Sequence, residues 1–166
     1  MTHKVITIWT GRGPDNKGKM HKHFPYADST TPVHQSIAEI KTLLSRFKCE
    51  RMIDFSDSGR DGIALHTIGF EKEGHRFLIE FPIVYTENST DKKLNMSISG
   101  RIVLNRVKAL LVDAEIEAMS FQEAMLPYLL LPTSSGRPMT VSDILTLPDI
   151  KERNRETTFL LGGGQP

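Results

Sequence analysis

The sequence has a single cysteine, almost no net charge and no long apolar run, and each scarcity removes a class of protein. Cys49 has no second cysteine to pair with, so no internal disulfide staples the fold. No stretch of about 18 apolar residues is present to cross a bilayer, and the N-terminus has no apolar signal core, so the expected setting is the cytoplasm. Lys and Arg number 21 against 20 Asp and Glu, and no global field draws the chain toward nucleic acid or acidic lipid. Any electrostatic function has to be local. Also missing are a Gly-x-Ser-x-Gly elbow, a phosphate loop ending in Gly-Lys-Ser or Gly-Lys-Thr, and a dinucleotide fingerprint, for which Gly11-Arg12-Gly13 is too short. These absences lead to the expectation of a non-enzymatic protein with no cofactor.

What is present suits one domain: 166 residues, 39% of them apolar, suffice for a single core. The expected organisation is a basic arm over 1–25, an α+β core over 26–150 and a flexible tail over 151–166, ending in Gly162-Gly163-Gly164. In the arm, Lys4, Arg12, Lys17, Lys19 and Lys22 face only Asp15, a net of +4. Val5, Ile6, Ile8 and Trp9 read as a short strand that docks on a sheet edge. Gly11, Gly13, Pro14 and Gly18 punctuate the next stretch, and residues 11–23 are expected to stay mobile.

The core opens on Ser36-Ile37-Ala38-Glu39, which has the form of a capping box. Ile37, Ile40, Leu43, Leu44 and Phe47 recur behind it at helical spacing, predicting a helix over 36–48. Three strands are expected at 51–56, 62–70 and 75–83, joined by the turns 57–61 and 71–74 into an antiparallel meander. Ile53 and Phe55, Ile63 and Leu65, and Phe77, Ile79 and Phe81 are expected to share one apolar face. A bulge near His66 or Thr67 would account for the parity change to Ile68 and Phe70. The polar stretch Thr86 to Lys93 reads as a loop, and a long helix over 99–118 comes after it. Ser120 with Glu123 makes a second capping box, for a helix over 121–131 that Pro132 ends. The result is an αβββα layout, two helices on one face of a three-stranded sheet, with an added N-terminal edge strand. Double-stranded RNA-binding domains share that element order, though their phosphate-contacting lysines at the start of the last helix have no match here.

Candidate chemistry is thin. His21-Lys22-His23 supplies two imidazoles where zinc needs four ligands, and no cysteine pair completes the set. Asp54, Asp57, Asp61, Glu71 and Glu73 sit in or beside turns, where carboxylates serve local backbone bonding. Cys49, at a helix end, reads as buried filler. The basic residues remain: Arg46, Lys48 and Arg51 where the first helix hands over to the first meander strand, and Arg101, Arg106 and Lys108 near the start of the long helix. With Arg12, Lys17, Lys19 and Lys22 of the arm they could form one phosphate-binding surface.

The run Tyr26-Ala27-Asp28-Ser29-Thr30, then Pro32-Val33 and Ser36-x-x-Glu39-Ile40-x-x-Leu43-Leu44-x-Arg46-Phe47, resembles the start of a family of small, largely uncharacterised proteins encoded by bacteriophages and prophages. Gly74-His75-Arg76-Phe77, Phe81-Pro82, Arg106-x-x-Ala109-Leu110, Phe121-x-Glu123 and Gly136-Arg137-Pro138-Met139-Thr140-Val141 extend the resemblance to about residues 26–141. The arm before Tyr26 is extra, Cys49 stands where a glycine is usual, and the 84–98 stretch lacks the usual arginines. The resemblance implies a phage or mobile-element setting and carries no activity onto particular residues. The leading expectation is an accessory protein that binds DNA or RNA through its arm and helix ends. The alternative is a protein-binding module, an inhibitor of a host defence enzyme or a subunit of a larger phage assembly, which uses the open sheet face or Leu129-Leu130-Leu131 toward a host or phage protein or a second copy.

Overall fold

The computed structural model describes residues 4–9, 26, 29–58, 63–87, 91–133 and 138–147, with the backbone alone at Trp9 and Ser58. The elements run β1 (Val5–Trp9), α1 (Val33–Arg46), β2 (Glu50–Ser58), β3 (Ala64–Lys72), β4 (His75–Glu80), β5 (Ile83–Glu87), β6 (Lys92–Leu94) and α2 (Met96–Glu115). Then come α3 (Phe121–Ala124), a 3-10 turn (Leu126–Tyr128), β7 (Leu130–Leu131), β8 (Met139–Thr140) and α4 (Val141–Leu145). The architecture is α+β: α1 and α2 pack on the antiparallel meander β2-β3-β4. The turn residues 59–62, the loop tip 88–90, residues 134–137, most of the arm and the tail lie outside the described residues.

The helix α1 starts three residues before the expected boundary. Pro32 caps it in an extended conformation, and its carbonyl accepts from Gln35 N at 3.0 Å. A proline fits this position because its missing N–H would have no helical partner. Ser36 is therefore no cap. It lies one turn inside, fully buried, against Gly100 of α2, where an added Cβ would come within 3.0 Å of the Ser36 side chain and 3.3 Å of Val33 Cα. Two small residues let the helix backbones approach. The chain leaves α1 through Lys48 at φ 58°, with Cys49 N bonded to Leu44 O at 3.2 Å.

Within the meander, Phe55 faces Thr67 and Ile53 faces Gly69 on β2 and β3; on β3 and β4, Ile68 faces Ile79 and Phe70 faces Phe77. The irregularity lies on β2 between Glu50 and Ile53, where Arg51 takes φ 49°, and not at His66 or Thr67, whose pairing is continuous. That placement corrects the expected apolar face. Ile68, Phe70, Phe77 and Ile79 point to the helices and are buried, whereas Ile53 and Phe55 lie on the opposite side, 61% and 43% exposed.

The third strand also ends earlier than the alternation predicts. Pro82 cannot donate to a ladder, and past it β5 leaves the meander for a second sheet of order β1-β5-β6. There β1 runs parallel to β5, Val5 opposite Ile83 and Trp9 opposite Glu87, so the expected edge strand exists but joins β5 instead of the meander. The described ends of the polar stretch expected as a loop are paired strand: Tyr85 faces Leu94 and Glu87 faces Lys92. Ile8, Val84 and Ile98 form a small core of their own beneath it, with Ile6 and Ile102.

The helix α2 starts three residues before the expected boundary, capped by Asn95, whose side chain accepts from Ile98 N at 3.2 Å; Ser99 is buried and donates to Pro82 O at 2.6 Å. Contacts advance in the same sense along α1 and α2, from Ser36 with Gly100 near their starts to Phe47, just past α1, beside Ala114 near the end of α2. The two helices therefore run parallel. The Ser120–Glu123 capping box forms as expected, but α3 is one turn long. Pro127 and the antiparallel bridge of Leu129 to Phe77 take the chain into extended structure, and the three leucines expected in a helix line the β4 edge.

Candidate functional site

Of the ten basic residues expected to share one surface, Arg12, Lys17, Lys19 and Lys22 lie outside the described residues. The parallel helix pair separates the remainder. Arg101 sits level with Ser36, while Arg46 lies about 15 Å further along α1 at 1.5 Å per residue. Arg101 and Lys108 converge on one carboxylate, Glu39, at 3.9 and 3.1 Å. Arg51 bonds Glu71 at 3.0 Å. The Arg106 guanidinium stands 5.7 Å over the Tyr128 ring, whose hydroxyl burial pushes above its ordinary pKa, against the opposing pull of Arg106. Arg46 and Lys48 are exposed and have no ion-pair partner among the described residues. Their end of the molecule also carries Glu50, Glu71 and Glu73, and Glu115 and Glu117 close α2 on the same side. The described body thus offers isolated cations among acids.

A more connected surface surrounds β2. Between α1 and β2 runs a groove of about 430 Å³ lined by His34, Ile37, Ala38, Lys41, Asp54, Phe55, Ser56 and His66. Lys41 and Asp54 bridge it with a 2.5 Å ion pair, and the hydrogen bond from Lys41 holds the Asp54 carboxyl below the usual carboxylate range. The His66 ring meets Phe81 edge-on at 6.3 Å. Beyond the groove the outer face of the meander is graded. Leu78 and Thr67 are buried, with Leu78 lying 3.9 Å from the point where a Gly69 Cβ would be, whereas Ile53 and Phe55 stand open to solvent. Exposed β-branched and aromatic residues side by side on the open, β2 side of a sheet face are contact material.

Little in this arrangement is poised for covalent chemistry. Cys49 is buried between α1 and β2, and its thiol is pushed up to about 11, chiefly by burial, with Lys72 opposing and Glu73 assisting. Among the described residues no three His, Cys, Asp or Glu side chains converge as metal ligands, and no helix is long and apolar enough to cross a membrane. Sequence reasoning missed Ile53 and Phe55 because their alternation reads as a core strand. No local sequence signal marks the extra residue at Arg51-Met52 that offsets the pairing of β2 with β3. No family model, curated protein or solved structure matches the chain.

Proposed function

We propose that the chain is a small non-enzymatic protein-binding module that meets its partner with the β2 half of the outer sheet face. The observation that carries this reading is the pair Ile53 and Phe55, apolar, adjacent on one face and 61% and 43% exposed, beside a groove that adds polar groups from His34, Lys41 and Ser56. An apolar centre with a polar rim is the composition of a protein interface. The resemblance over residues 26–141 supplies the setting: a phage or prophage protein whose target is a host defence enzyme or another subunit of a phage assembly. A second reading, binding of DNA or RNA, is favoured by the net +4 of the arm.

Capture experiments on wild type and on the Ile53→Lys/Phe55→Lys double variant separate the two. An apolar contact survives at about 0.5 M salt and is lost in the double variant. Binding to nucleic acid falls steeply with salt and depends on the arm instead, so replacing Arg12, Lys17, Lys19 and Lys22 with Gln would abolish it and leave the apolar contact intact. Salt-labile capture unaffected by the double variant would exclude the protein-binding reading.

A further inference from the structure

The outward face of α2 changes along its length. In the first turns Ile98 is buried beneath the β1-β5-β6 sheet, and Ile102 packs against the same small core. Beyond them Asn105, Ala109, Val112 and Ile116 follow at spacings of four, three and four, so they lie on one stripe. Ala109 is open to solvent, and Val112 and Ile116 are 51% and 67% exposed. Charge is divided along the same helix: Arg101, Arg106 and Lys108 all precede Asp113 and Glu115. Both acids therefore sit in the last turn, where the dipole of their own helix disfavours them. Neither has an ion-pair partner among the described residues. We infer that this stripe packs on the same stripe of a second copy, with the two α2 helices antiparallel about a twofold axis between Leu110 and Leu111.

The side chains decide the register. In an antiparallel helix pair the stripe residues of the two copies meet in layers, and the residues flanking each stripe pair across the seam. With this axis, Ala109 of each copy faces Val112 of the other, small against branched, and Asn105 of each faces Ile116. On one flank Lys108 of each copy faces Glu115 of the other, and on the opposite flank Arg106 faces Asp113, so all four charge pairs are attractive. Arg106 is exposed, and the Lys108 side chain is 43% exposed even with its contact to Glu39, so both remain accessible. Sliding one helix by a heptad sets Arg106 and Lys108 against their own copies in one direction, and Asp113 and Glu115 against theirs in the other. A parallel pairing would set Arg101 against Arg106. The antiparallel register also brings Ile116 of each copy only as far as Asn105 of the other, short of the turns that the second sheet covers. The contact lies on the helix side of the meander, away from Ile53 and Phe55, and goes beyond the reading of that face as a binding surface.

Sedimentation of the full chain up to about 300 μM is expected to show monomer giving way to dimer. Arg106→Glu/Lys108→Glu and Asp113→Lys/Glu115→Lys should each self-associate about a hundredfold more weakly, because like charges then meet on both flanks. Mixed in equal amounts the two should form a heterodimer, because every flanking pair is again opposite. A second test leaves the charges untouched. In a Cys49→Ala background, mild oxidation of Ala109→Cys mixed with Val112→Cys should give chiefly the mixed disulfide, since these positions share a layer. A monomer throughout the concentration range, a charge-swapped mixture that associates no better than its components, or disulfides between identical chains in preference to the mixed one would each overturn the pairing. Ile53→Lys/Phe55→Lys should dimerise like wild type, and loss of the dimer in that variant would overturn it too. A monomer that still captures a protein through Ile53 and Phe55 would overturn the pairing alone and leave the binding module standing; a dimer that captures nothing would do the reverse.

Discussion

Gly100 sets how closely the two helices approach. A Cβ there would lie 3.0 Å from the Ser36 side chain and 3.3 Å from backbone, so Gly100→Val is expected to cost about 1–3 kcal/mol and lower the melting temperature by several degrees, despite its gain in helix propensity. An unchanged melt would mean that the helices are free to separate. Cys49 makes a second prediction. Its folded pKa is raised from 9.0 to about 11, so the stability linked to it is complete below pH 9 and drains as pH rises from 9 toward 11, where the unfolded thiol ionises and the folded one does not. Denaturation curves for Cys49→Ala should fall less steeply than wild type across that window; parallel curves would contradict the burial. At this scale the sequence is a partial guide. It marks Cys49 as filler and Ser120 as a cap, but it marks Ser36 as a cap as well, because a capping box and a small residue at a helix crossing look alike until the partner glycine is known.

At the scale of elements, local signals survive and non-local ones do not. The apolar stripe of α1, the length of α2 and the turn at Glu73-Gly74 between β3 and β4 are legible because each is written within a few residues. The parallel pairing of β1 with β5 joins segments about 78 positions apart, and no local pattern announces it. Pro82 is the available clue that the third strand ends, since a proline interrupts a central ladder. Two predictions belong here. Deleting residues 1–10 removes Ile8 from the Ile8–Val84–Ile98 cluster and bares the β5 edge, so stability should fall by about 2–4 kcal/mol; a truncated chain melting like wild type would show β1 to be dispensable. Ser120→Ala should cost about 1 kcal/mol, because the cap holds α3 where Phe121 meets Phe47, Phe70 and Phe77.

For the whole molecule, the α+β layering of two helices on a meander is readable from element order alone, and the candidate site is not. The basic surface expected from sequence adjacency depends on distances that the parallel helix pair sets at opposite ends, and on acids such as Glu39 and Glu71 that close in only after folding. The β2 face becomes visible once the register is known. Its two apolar residues contribute little to the core and much to the surface, and the functional reading rests on that division. The most direct measurement is a pair of thermal melts in dilute solution. Ile53→Lys/Phe55→Lys should melt within about 3 °C of wild type, as expected for exposed positions, whereas Phe77→Ala, which empties the core beside Phe70 and Phe121, should melt about 10 °C lower. A double variant that unfolds as readily as Phe77→Ala would mean that Ile53 and Phe55 hold the fold together, and the account of β2 as a contact surface would be wrong.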